Sequence, residues 1–122
     1  MKRLKTIPRG AVLTAPFPFS DLSAKKRRPV VALVPTDGDD VIVAFVTTNI
    51  TAAGPYGVIV KEGERDFRAT GFKKSSAVRV DRIATLDRKI MRGVVGHLPE
   101  RHVREMVKDL KQLLAFVNAS AS

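Results

Sequence analysis

Residues 28–48 read RPVVALVPTDGDDVIVAFVTT. Two apolar runs rich in β-branched residues flank a polar stretch. Pro29 opens the first run and Pro35 closes it, which forbids a helix and suits a short buried strand. The TDGDD stretch, Thr36 to Asp40, carries the Asp-Gly signature of a hairpin turn. Val41–Thr48 is then the returning strand. This hairpin sets the fold class as β.

On the N-terminal side, Val12–Ala15 is a further short strand and the first eight residues are a loose basic lead. The connecting APFPFSDLS carries Pro16 and Pro18, which suit an edge or a loop. Ser20, Asp21 and Ser23 are turn formers. On the C-terminal side a loop at Asn49–Tyr56 leads to strands at Gly57–Lys61 and Ser76–Val80, separated by the polar KEGERDF. Asp81–Leu86 continues as extended chain, DRKIM is a single helical turn, and Gly93–Leu98 is a last short strand.

The chain end differs. In PERHVREMVKDLKQLLAFV the apolar residues Val103, Met106, Val107, Leu110, Leu113, Leu114 and Val117 recur at helical spacing. Arg101, Arg104, Lys108 and Lys111 fall off that face, and Pro99 suits a first turn. Many short strands and one amphipathic helix predict a small twisted barrel capped by the helix. The 122 residues suit one domain, spanning 1–117, with 118–122 fraying.

The chain holds 22 Lys plus Arg against 12 Asp plus Glu, a formal net charge of +10. Such an excess favours a polyanionic partner, nucleic acid first and an acidic protein second. With no tryptophan and one tyrosine, stacking platforms for bases are few, so phosphates and sugar edges carry the contacts. The absence of cysteine excludes disulfides and thiolate metal sites. No apolar stretch has the length of a signal peptide or a membrane span, and the expectation is a soluble, cytoplasmic protein.

Lys25-Lys26-Arg27-Arg28 directly precedes the buried strand. A charge run is ordinarily a solvated loop. Arg28 differs because the residue before proline is driven to extended geometry. Its guanidinium starts from a restrained backbone and can form paired bonds to a phosphate. Lys25, Lys26 and Arg27 lack that restraint and act as a steering field. At the far end of the returning strand, Thr47 and Thr48 point to opposite faces. Hairpin pairing brings one of them beside Arg28, and periodicity leaves both open because both faces are apolar. His97 and His102 read as surface or capping residues, without a partner at acid–base spacing. Arg79, Asp81, Arg82 and Asp87 read as surface ion pairing, with an extension of a basic groove by Arg79, Lys73 and Lys74 as the alternative.

The order RGAVLTAPFPFSDLSAKKRRPVVALV, DVIVAFVTTNI, SSAVRVDRIATLDRKIMRGVVGHL and a terminal amphipathic helix resembles the MazF/PemK family of toxins, over residues 8 to 117. The likeness rests on Arg9-Gly10, Arg28-Pro29, VIVAFVT and RIATLD in that order. It implies an SH3-like β-barrel with a C-terminal helix, a homodimer, and a metal-independent endoribonuclease without cofactors. The implied substrate is single-stranded RNA, cut to 2′,3′-cyclic phosphate and 5′-hydroxyl ends. The implied inhibitor is a cognate acidic antitoxin. The family's catalytic arginine maps to Arg28 and its threonine to Thr47. The loop FPFSDLSAKK matches the segment bordering the RNA groove; its Ser20, Asp21, Lys25 and Lys26, with the neighbouring Arg27 and Thr48, form the expected substrate-binding set. No residue suggests itself as general base. One alternative is a barrel of the same fold that binds RNA or protein without cleaving. A gyrase poison of the CcdB type is disfavoured, because its tryptophan-containing ending is missing here.

Overall fold

The computed structural model describes residues 6–16 and 26–121, with side chains described as far as residue 116. Six strands form one antiparallel sheet in the order β4-β5-β3-β2-β1-β6. They are β1 (Ala11–Pro16), β2 (Arg27–Ala32), β3 (Asp40–Thr47), β4 (Gly57–Val60), β5 (Ser76–Asp87) and β6 (Gly96–His97). The sheet curls into a half-barrel, with β4 and β6 as its end strands. One helix, α1 (Glu100–Ala121), follows. The mainly-β architecture with a terminal amphipathic helix is as the sequence predicts. Among the described residues no helix is long and apolar enough to cross a membrane.

Side-chain alternation divides the core in two. One cluster joins Val12, Val31, Ala44, Val46, Val58, Val60, Val78 and Val80 to Leu98, Val103 and Met106. The helix therefore lies on this face of the sheet. The other cluster holds Leu13, Ala15, Val30, Ala32, Val41, Val43 and Leu86, with Phe45 and Ala84 packed against it. Both faces of β3 are covered from Val43 onward, as are those of β2 from Val30, which is why those runs carry no polar alternation.

Several local expectations differ from what is seen. Residues 33–39 join β2 to β3 as a wide loop, and Gly38 does not take positive φ. Its shape comes from side chains: Thr36 Oγ1 accepts the Gly38 N–H at 3.0 Å, and Arg88 donates to Gly38 O at 2.9 Å. Ile7, near the end of the basic lead, is buried and exchanges two backbone bonds with Thr36, 2.7 and 2.9 Å. The helical backbone runs through Ala121, past the fraying point expected at 118.

Ser76–Val80 and Asp81–Leu86 are one strand, β5. Its pairing with β3 is interrupted: Ala44 faces Ile83, yet Phe45 faces Arg79. Val80, Asp81 and Arg82 are thus bulged out of the ladder, which bends the strand and turns its side chains to new directions.

Candidate functional site

The register of β2 against β3 is Val30↔Phe45, Val31↔Ala44 and Ala32↔Val43. Carried two residues further, the same count sets Arg28 level with Thr47. Both line one cleft of about 190 Å³, with Pro29, Phe45, Val46, Arg79 and Arg82 completing its wall. Arg28 and Thr47 are each half-buried. The choice left open by periodicity is settled here: Thr47 shares Arg28's cleft and Thr48 does not line it.

The Thr47 hydroxyl is oriented by its own loop. Its oxygen accepts the Asn49 N–H at 3.1 Å, so its proton can be donated elsewhere. Arg79 is held by three interactions. Its Nε and Nη2 donate to Asp81 at 3.0 and 2.9 Å, and its Nη1 donates to Ala52 O at 3.1 Å. The bonds from Arg79 hold the Asp81 carboxyl below the usual carboxylate range, and the same pairing raises Arg79. The Arg79–Asp81 ion pair fits the sequence reading. Arg79 also lines the cleft, the alternative role its sequence left open, whereas Arg82 is placed there by a bulge with no sequence signature stronger than a run of mixed charge.

Arg27 also departs from expectation. It is no free steering charge: its Nη2 donates to Thr14 O at 2.7 Å and Ile90 O at 3.1 Å, and its Nε to Thr14 Oγ1 at 3.2 Å. These bonds tie β2 to β1 and to the short 3-10 turn Arg88–Ile90. Arg27 and Thr48 line a second cleft of about 420 Å³ on the other side of Pro29. Its remaining wall includes Thr14, Lys73, Lys74, Ser76 and Arg92. Lys26 is exposed just before β2. Ser20, Asp21 and Lys25 lie outside the described residues.

Of the histidines, His97 is exposed, with Nδ1 2.7 Å from Leu98 O. His102 is buried, contrary to a surface role. Its Nε2 contacts Glu64 Oε1 and its Nδ1 lies 3.0 Å from Glu105 Oε1. Glu64 also accepts from the Lys61 N–H at 2.7 Å and Arg101 Nη2 at 2.6 Å. Burial pushes the Glu64 carboxyl up, but these bonds outweigh it and hold it at about 2. The hydrogen bond from Arg101 likewise brings Asp66 to about 2. This network clips the polar excursion after β4 onto the first turns of α1. It touches neither cleft, so it is structural.

The fold is shared with solved structures of low sequence identity. The Mycobacterium tuberculosis toxin MazF-mt6 superposes with a TM-score of 0.66 at 19% identity, over 86% of this chain and 96% of that one. MazF in the MazE–MazF structure from Deinococcus radiodurans gives 0.67 at 20% identity, over 90% and 96%. An endoribonuclease in complex with its cognate antitoxin, from a mycobacterial species, gives 0.63 at 18% identity, over 89% and 93%. No curated protein sequence matches the chain. The sequence profile described as "PemK-like, MazF-like toxin of type II toxin-antitoxin system" matches residues 8–114, which include every stretch on which the resemblance rests. With nearly its whole length inside that match, the chain belongs to the PemK-like, MazF-like toxins of type II toxin–antitoxin systems.

Proposed function

We propose that this toxin is an endoribonuclease that cuts single-stranded RNA at the Arg28–Thr47 cleft. The observation that carries the reading is the meeting, in one cleft, of a guanidinium and an oriented hydroxyl, with two further guanidinium groups in the wall. RNA brings its own nucleophile. The 2′-hydroxyl oxygen attacks the adjacent phosphorus, the bond to the 5′ oxygen breaks, and a 2′,3′-cyclic phosphate and a 5′-hydroxyl result. The protein's task is to align attack with departure and to stabilise charge gathering on the phosphate oxygens.

Arg28 supplies that stabilisation through its planar fork. An arginine holds its proton too firmly to be a ready acid, so its part is electrostatic. Thr47 donates its remaining proton to a phosphate oxygen or holds the attacking hydroxyl. The described lining contains no carboxylate and no imidazole, so the 2′ proton leaves to water and water returns one to the departing 5′ oxygen. Nothing in this scheme routes through a metal ion. The toxin works as a cytoplasmic homodimer, and its basic surface meets a cognate acidic antitoxin that blocks the cleft.

The test is incubation of purified protein with mixed-sequence single-stranded RNA in EDTA, beside Arg28→Ala, with product ends mapped. The expected result is cleavage leaving 5′-hydroxyl ends, lost in the variant. Survival of long RNAs of varied sequence would overturn it and leave a non-catalytic binding barrel of the same fold.

A further inference from the structure

The second cleft gathers four cations from three parts of the chain. Arg27 comes from β2, and Arg92 from the segment that runs along β1. Lys73 and Lys74 come from the loop before β5. Thr14 O is the hub. It accepts from Arg27 Nη2 at 2.7 Å and from the Arg92 backbone N–H at 3.3 Å. The lysine loop is pressed against the same segment. Gly71, at φ +75°, approaches so closely that a Cβ there would lie 2.7 Å from Val95 O. The cations are therefore gathered by the backbone and not by flexible side chains meeting in solvent.

Like charges so gathered repel. The described lining holds no carboxylate. Lys73, Lys74 and Arg92 form no ion pair with a described carboxylate. Burial lowers the Arg27 guanidinium below its ordinary value, and the charge of Arg92 lowers it further. A bound anion would relieve this repulsion. Pro29 lines both clefts, and Thr47 and Thr48 are adjacent residues facing one cleft each. Neighbouring Cα atoms are about 3.8 Å apart. A strand gripped at the first cleft needs only to pass the Pro29 edge to reach the second.

We propose that the Arg27–Thr48–Lys73–Lys74–Arg92 cleft is a second phosphate subsite, which holds the RNA backbone beyond the phosphate at Arg28 and Thr47. The choice of an RNA strand as occupant rests on the ribonuclease reading above. Thr48 and Arg27 orient the phosphate there, and the two lysines and Arg92 neutralise it. The subsite reads charge and not base identity, so it adds affinity to any RNA long enough to span both clefts.

The test uses a mixed-sequence 2′-O-methyl RNA dodecamer, which lacks the nucleophile and stays intact. Its binding is followed by fluorescence anisotropy between 50 and 200 mM salt, on the order of the range where phosphate contacts dominate. The proteins are wild type, Lys73→Ala/Lys74→Ala/Arg92→Ala, and a control of equal charge loss on α1, Arg104→Ala/Lys108→Ala/Lys111→Ala. Each single-strand phosphate contact contributes about 0.7 to the slope of log affinity against log salt. The cleft variant should lose about two units of slope and about tenfold or more in affinity, and the helix variant far less. Equal slopes for the cleft variant and wild type would overturn the subsite. So would a cleft variant that keeps its RNA affinity but loses binding to poly-glutamate, which would assign the cleft to an acidic protein. The cleavage assay reads the other proposal separately. An RNA-cutting protein with unchanged slopes keeps the ribonuclease and loses the subsite. A protein that cuts nothing but shows the slope change keeps the subsite and loses the ribonuclease.

Discussion

Asp81 grips one edge of the Arg79 guanidinium with both carboxylate oxygens, Nε donating to Oδ1 at 3.0 Å and Nη2 to Oδ2 at 2.9 Å. With Nη1 on Ala52 O, every nitrogen of Arg79 is engaged. Arg79 therefore forms a fixed wall of the cleft, and Asp81 is the positioning residue that fixes it. The bulge at residues 80–82 allows this, because it leaves Asp81 out of the ladder with β3 while Arg79 stays paired opposite Phe45.

Asp81→Asn separates positioning from charge. The substitution frees the guanidinium and removes one negative charge beside the cleft. Binding of an uncleavable RNA should tighten by a factor of roughly three, while kcat falls by about tenfold. A matched loss of affinity and kcat would show that Asp81 merely supports the fold. Single-turnover cleavage beside anisotropy gives both numbers.

Thr47→Val keeps the shape of the side chain and removes the hydroxyl. The Asn49 N–H it satisfied is in an exposed turn, so water replaces the bond and stability changes by about 1 kcal/mol or less. Cleavage should fall roughly 10- to 100-fold, in line with loss of one hydrogen bond made to developing charge. Thr48→Val, in the other cleft, should leave the chemical step intact in a single-turnover assay at saturating RNA. Equal losses in the two variants would contradict the assignment of Thr47 to the reacting phosphate.

Acid stability should depend on Glu64. Its folded value of about 2 lies below the ordinary 4.5. A depressed carboxyl stabilises the fold in full above the unfolded value, and the contribution disappears as pH falls through the folded one. Urea midpoints should therefore decline between about pH 4.5 and 2. Asp66, also at about 2, adds in the same direction. Glu64→Gln should flatten that decline. It should also lower the midpoint at pH 7, where Arg101 and the buried His102 lose their shared carboxylate.

Gly96→Ala tests how tightly the last strand is seated. A Cβ there would lie 2.2 Å from Thr70 O and 2.6 Å from Ala69 O, both backbone atoms that cannot swing aside. The cost should be on the order of 3 kcal/mol, read from urea unfolding. Gly63→Ala meets nothing within 4 Å and should shift stability by less than about 1 kcal/mol. A neutral Gly96→Ala would mean that β6 is not held against residues 69–70 as described.

The sequence by itself determined the strands, the helix and the family. Proline positions and unbroken β-branched runs are local signals, and they located β1 to β5 to within two or three residues of their ends except where β5 was read as two pieces. Periodicity of the apolar residues located α1 on the same terms. The restraint before Pro29 singled out Arg28 among four basic neighbours, since that effect acts within one dipeptide. Tertiary structure alone decided what each charge touches. Adjacent side chains on a strand face opposite ways, so Arg27 and Arg28, and Thr47 and Thr48, part into two clefts that no one-dimensional pattern distinguishes. The bulge in β5 arises from a mismatch between strands distant in sequence, and it places Arg82 beside the first cleft, which the register pair Phe45↔Arg79 already brings Arg79 to line. His102 is polar by composition, yet it is buried because Glu64, far away in the chain, folds back against it. Local signals specify elements; pairing register, which depends on both partners at once, specifies the site.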